Sequence, residues 1–126
     1  MIHERHFSRE EADALLPTLE PVLRELQVAA ASLTDAEAHE VLSEASGGNG
    51  GGAEGKRVGE AFLQVRGILA ALQGEGVVVR DISSGLVDFP AVRDGQEIYL
   101  CWRLGEESVA HWHDLDSGFQ GRQALE

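Results

Sequence analysis

The sequence predicts an α+β fold: a long antiparallel helical hairpin packed on one face of a small antiparallel sheet of three or four strands. Three observations predict it. Apolar residues from Leu15 to Leu33, and again from Val58 to Leu72, recur at alternating spacings of four and three, the period of an amphipathic helix. From Val77 the apolar period changes to two, the period of a strand. Between the short runs that follow stand Ser83-Ser84-Gly85, Asp94-Gly95 and Gly105-Glu106-Glu107, residues that turn a chain. A chain of 126 residues has room for one domain, residues 1–126. Its parts are a helical region of about 8–74, a β region of about 76–116 and a C-terminal tail, 117–126.

The first helix opens at Ser8-Arg9-Glu10-Glu11, a capping box in which the Ser8 hydroxyl and the Glu11 carboxylate satisfy each other's backbone N–H groups. Leu15, Leu19, Val22, Leu26, Ala29 and Leu33 then form one apolar seam, widened by Leu16, Leu23 and Ala30. Pro17 and Pro21 oppose a straight rod. Each removes a ladder hydrogen bond, at about 3 kcal/mol in an unadapted helix interior, so the sequence predicts a kink, or a restart with Pro17 in a first turn. Thr34-Asp35-Ala36-Glu37 is a second capping box, opening a shorter helix that runs to about Ala45.

Gly47 to Gly52, within a loop of about 47–55, reads as a flexible connector. A phosphate-cradling loop needs Gly-Lys-Ser/Thr at its end and a buried strand before it. Here Ala53-Glu54 follows, and an acidic helix precedes. The next helix runs from about Gly55 to Gln73, with Gly74 and Gly76 as left-handed stops.

Strands are expected at Val77–Asp81, at Leu86–Phe89 with Pro90 closing it, at Glu97–Leu104 and at Ser108–Asp114. In the third, Ile98, Leu100, Trp102 and Leu104 alternate with Glu97, Tyr99, Cys101 and Arg103, so the first set faces the helices. For Trp112 to join Trp102 on that face, the hairpin must place Cys101 opposite His111 and Leu104 opposite Ser108, which a three-residue loop at Gly105-Glu106-Glu107 achieves. Tyr99, Cys101, Arg103, His111 and His113 then share the outward face.

Charge and cysteine usage exclude several functions. Twenty-two Asp and Glu against ten Lys and Arg leave a net charge of −12, which repels nucleic-acid backbones and favours a basic protein partner. Residues 1–46 hold ten of those acids against three bases. One cysteine, Cys101, excludes an internal disulfide and every multi-cysteine metal site. The start, MIHERHFSREE, has no apolar targeting core, and no run approaches the about 18 apolar residues of a membrane span. These features describe a cytoplasmic protein.

The outward face carries the candidate chemistry, set against the plainer reading of a polar sheet surface with solvated histidines and Cys101 as a small hydrophobe under a covering loop. His111-x-His113 on a strand points both imidazoles to one side, a spacing that zinc and iron sites use. Cys101 across the ladder, with a carboxylate from Asp88, Glu106 or Asp114, completes a mixed ligand set; the favoured set is Cys101, His111, His113 and Asp88. The same face without a metal offers a cysteine nucleophile, with His111 as base and Arg103 to lower the thiol pKa. Asp81 and Asp88 read as turn-capping aspartates or as a carboxylate pair, the former favoured. His3-x-x-His6 reads as a frayed terminus.

Four segments in order, GLVDFP (Gly85 to Pro90), LCWRLGE (Leu100 to Glu106), HWH (His111 to His113) and GFQGR (Gly118 to Arg122), make the chain resemble a family of small bacterial proteins classed as a domain of unknown function. The resemblance runs from Phe7 to Arg122 and implies a shared fold and a bacterial cytoplasmic setting, with no activity attached. Within its motifs Asp81, Asp88, Glu106, His113 and Arg122 are polar residues that packing does not require. Two functions are expected from these readings. One is a non-enzymatic, acidic interaction module that dimerises through its helical seams. The alternative is a zinc- or iron-binding protein or hydrolase using the Cys101, His111 and His113 face, with Asp81, Asp88, Arg103, Glu106 and Arg122 about it.

Overall fold

In the computed structural model, which describes residues 1–45 and 59–125, three helices precede an antiparallel sheet of five strands. The helices are α1 (Arg9–Ala30), α2 (Asp35–Ala45) and α3 (Glu60–Gly74). The strands are β1 (Val78–Asp81), β2 (Leu86–Arg93), β3 (Gln96–Arg103), β4 (His111–Asp114) and β5 (Gln123–Ala124), side by side in that order. The α+β class is as expected. The sheet gains a fifth strand because the C-terminal tail turns back after a 3-10 turn at Phe119–Gly121 and pairs Gln123 with Trp112. The glycine-rich stretch 47–52 and the expected start of the third helix lie outside the described residues.

Both capping boxes form. Ser8 and Glu11 exchange bonds of 2.8 and 3.0 Å, and Thr34 and Glu37 do so at 2.9 and 3.1 Å. α1 runs unbroken through Pro17 and Pro21 instead of restarting. Both prolines sit on its exposed face, so the carbonyls of Asp13 and Pro17 that lose their ladder donors lie toward water and not in the core. The opposite face buries Leu16, Leu19, Leu23 and Leu26. α3 packs against both α1 and α2, so three helices share the packing, and the contacts do not show a long two-helix hairpin. Among the described residues the seams pack toward the core, with Leu15, Val22 and Leu33 only partly buried, and the exposed large apolar side chains are Met1, Ile2, Val28, Leu63 and Val92.

The strand parity is as the alternation requires. Val79, Val87, Phe89, Leu100 and Trp102 share the face against the helices, and Cys101 stands opposite His111. The connection is longer than a three-residue loop, since β3 ends at Arg103 and β4 begins at His111. Other bonds take over the intervening backbone and the Trp102 indole. Trp102 Nε1–H donates to the Glu106 carbonyl at 3.1 Å, and the Val109 N–H donates to the Asp13 carboxylate at 2.6 Å.

Pro90 does not close β2, which continues to Arg93 with Pro90 opposite Tyr99. In an antiparallel strand the N and C=O of one residue face the same side. The Pro90 carbonyl accepts from the Phe7 N–H at 2.7 Å, away from β3, so the missing proline donor costs the β2–β3 ladder nothing. Phe7 is buried there, edge-on to Phe89 at 5.2 Å.

Candidate functional site

The face of the sheet away from the helices is buried as well. Asp88, Cys101 and His113 are 2%, 0% and 1% exposed, and Tyr99 is buried beside them. The chain termini cover them. At one end Glu97 accepts from the Ile2 N–H at 2.8 Å, the His3 N–H at 3.0 Å and His6 Nε2 at 2.8 Å, while His3 Nε2 and the Tyr99 hydroxyl share a bond of 2.6 Å. Burial works against ionising Glu97, but these donors outweigh it and hold its carboxyl at about 2. The expected fraying of His3 and His6 is therefore corrected: a carboxylate 91 or more residues away fixes the segment. At the other end Leu115 and Phe119 line the wall above Asp88 and His113.

Three neighbouring strands bring the central residues together: Asp88 from β2 is opposite Cys101 of β3, and His113 of β4 is one step along. Among the described residues these three form the set of His, Cys, Asp and Glu whose ligand atoms converge, all within 4.8 Å of one another. Asp88 is thus no turn cap. Its Oδ1 meets His113 Nε2 at 2.9 Å and its Oδ2 accepts from Arg80 Nε at 2.8 Å. His113 Nδ1 lies 2.7 Å from the Asp114 carbonyl, which only accepts, so Nδ1 carries a proton and Nε2 faces the cluster. Burial disfavours charge on this imidazole, yet bonds to Asp88, Cys101 and the Asp114 carbonyl prevail and push its pKa up to about 10.

The other candidates separate. His111 stands opposite Cys101 but outside the converging set, its Nδ1 buried without a hydrogen-bond partner among the described residues. Arg122 and Glu106 pair through two bonds of 3.1 and 2.9 Å near Cys101, and Arg122 also covers the Phe119 ring. Arg103 is exposed, its guanidinium carbon 5.2 Å from the centroid of the same ring. Asp81 belongs to the β1–β2 turn, where the Ser84 hydroxyl and N–H and the Ser83 hydroxyl hold its carboxyl below the ordinary range. It is the turn cap the sequence favoured.

Sequence reading missed Arg80. Its parity with Val78, outward beside Asp88, was the available signal, but a bulge between Val79 and Asp81 places it, and that irregularity has no local signature. Of the residues expected to make a cysteine nucleophile, Cys101 is fully buried, His111 stands opposite it on β4, and Arg103 is exposed over the Phe119 ring.

A raised His113 pKa stabilises the fold below the unfolded value of about 6.5 and loses that contribution as pH rises through about 10. The gap in urea midpoint between the wild type and His113→Gln is therefore expected to narrow steadily between those values. A gap constant with pH removes the charged pair.

A small α+β domain with a carboxylate, a thiol and an imidazole converging beneath its own termini is the class that fold and site define. The chain belongs to the family described as an uncharacterized conserved protein (DUF2203), whose match spans residues 5–125. No curated protein and no solved structure matches the chain.

Proposed function

We propose that the covered sheet face binds one divalent transition-metal ion, zinc or ferrous iron, through Asp88, Cys101 and His113, with a coordination position left for water or a substrate atom. The observation that carries this is the convergence of the three ligand atoms within 4.8 Å on rigid neighbouring strands. A tetrahedral zinc with ordinary bond lengths needs its ligand atoms roughly 3.2–3.8 Å apart, so the 2.9 Å between Asp88 Oδ1 and His113 Nε2 has to open slightly while separations toward 4.8 Å close. A second feature supports it: ligating histidines usually donate their distal N–H to a carbonyl or carboxylate, as His113 Nδ1 does to Asp114. One thiolate, one imidazole and one carboxylate suit zinc or ferrous iron better than magnesium. Such an ion, with three protein ligands, makes bound water acidic enough for hydrolysis near neutral pH. The proton between His113 and Asp88 occupies the metal's place, so binding releases protons and strengthens as pH rises.

Elemental analysis of untagged full-length protein is expected to find about one zinc or iron per chain, lost in Cys101→Ala and His113→Ala. Added zinc at a hundred times its Kd stabilises the wild type by about 2.7 kcal/mol and leaves both variants unmoved. Protein free of metal, with melting unchanged by either ion, ends this reading.

The second reading is a non-enzymatic interaction module, dimeric in a bacterial cytoplasm, with a basic protein as external partner. The charge of −12 favours it. Light scattering that finds a monomer at high concentration removes the dimer.

A further inference from the structure

Above Asp88 and His113 lies a pocket of about 320 Å³, lined also by Arg80, Leu86, Leu115 and Phe119, with Asp116 and Gly118 completing it. We infer that this pocket binds a small aromatic or branched aliphatic monocarboxylate, with its charge against Arg80 and its apolar body against Leu115 and Phe119. The inference names the ligand class of the proposed metal site and rests on that reading only for what the carboxylate meets at the floor.

Three features of the lining select this class. The first is a cation with donors to spare. Arg80 spends Nε on Asp88 and lies over the Tyr99 ring at 4.9 Å, yet its side chain remains 38% exposed, and a guanidinium has five N–H donors. Its place at a bulge re-aims the side chain and holds it at the pocket. Pinned this way, it loses little further freedom on gripping a carboxylate.

The second feature is the floor. Both Asp88 oxygens are already engaged, by Arg80 Nε at 2.8 Å and His113 Nε2 at 2.9 Å, so the guanidinium's other N–H groups are the donors left for an added carboxylate. Asp116, an acid of the same lining, opposes a dianion such as a phosphate monoester.

The third feature is the wall. Leu86, Leu115 and Phe119 give an apolar side to a volume near the lower end of small-molecule sites, about 300–1,000 Å³. The Phe119 ring is itself held, with the Arg122 and Arg103 guanidinium carbons 4.4 and 5.2 Å from its centroid. Held rings make preorganised walls.

Benzoate, titrated into the zinc-treated and the chelator-treated full-length protein and followed by amide NMR shifts, tests the inference. Saturable shifts confined to Leu115–Phe119 and their neighbours are expected, and neutral benzamide produces none. Arg80→Gln weakens benzoate by about tenfold or more, as loss of a charge-assisted pair should. Leu115→Trp, which fills the pocket and touches no proposed ligand, abolishes binding and keeps the zinc content; it serves as the test if Arg80→Gln does not fold. Absence of saturable shifts in both protein forms, or equal binding of benzamide, overturns the inference. Zinc content, measured on the same samples, separates the two ideas. Benzoate binding to protein that takes up no metal supports the pocket and defeats the metal reading, while zinc binding without benzoate binding does the reverse.

Discussion

Replacing Asp88 by alanine is expected to lower the stability of the protein by about 3–5 kcal/mol, as removal of one partner from a buried ion pair does. Asp88 is 2% exposed and is the shared acceptor of His113 Nε2 and Arg80 Nε. Its loss leaves an imidazolium without its counter-charge in a site 1% exposed, and Arg80 without its anchor. Set against a typical total of about 5–15 kcal/mol, the change is large. Urea denaturation followed by circular dichroism reads it as a lower midpoint at unchanged slope. A second substitution, His113→Leu, removes the stranded charge and is expected to recover part of the loss, so the double-mutant cycle reports strong coupling. A fall below about 1 kcal/mol in Asp88→Ala, or strictly additive effects, means that the pair is not coupled.

Trp102→Ala is expected to cost a similar amount, about 3–5 kcal/mol, for a different reason. Trp102 is fully buried on the helix-facing side of β3, paired with Val87 across the ladder. Truncation opens a cavity in the centre of the core and also leaves the Glu106 carbonyl without the indole donor. Trp102→Phe separates the two contributions. It keeps much of the packing and loses the 3.1 Å bond, so its cost should exceed that of the hydrogen bond alone, about 1 kcal/mol, yet stay well below that of alanine. If phenylalanine costs as much as alanine, the bond and not the cavity dominates. The outcome also bears on the site, because Glu106, through its side chain, grips Arg122 beside Cys101.

Local chemistry was legible in the sequence. The two capping boxes depend on residues three apart, and both form as read, at Ser8 with Glu11 and Thr34 with Glu37. Strand parity was legible for the same kind of reason. A period of two allows Trp102 and Trp112 on one side only if Cys101 faces His111, and the ladder obeys that constraint. The alternation places Cys101 and His113 on one face; it leaves Asp88 only as one of three completing carboxylates, and the β2–β3 register sets it opposite Cys101. His111 was named with them, yet its ring stays out of the converging set, because sharing a face fixes which way a residue leaves the sheet and not where its ring nitrogens end.

The remainder was settled by contacts between distant parts of the chain. Pro90 reads as a strand stop by its missing donor. It stays inside β2 because that side of the strand meets Phe7 and not another strand of the sheet, a pairing with no local signal. The outward face reads as solvent-facing because three or four strands with helices on one side leave the other side bare. It is buried because Glu97 gathers the N-terminal segment and because Leu115 and Phe119 return over Asp88 and His113. Alternation and capping are short-range steric and hydrogen-bond rules, so the sequence by itself determined which residues share a face and where α1 and α2 begin. Whether that face meets water or protein depends on where the two termini lie, and only the tertiary structure decided that, turning a polar sheet surface into a buried cluster of opposite charges.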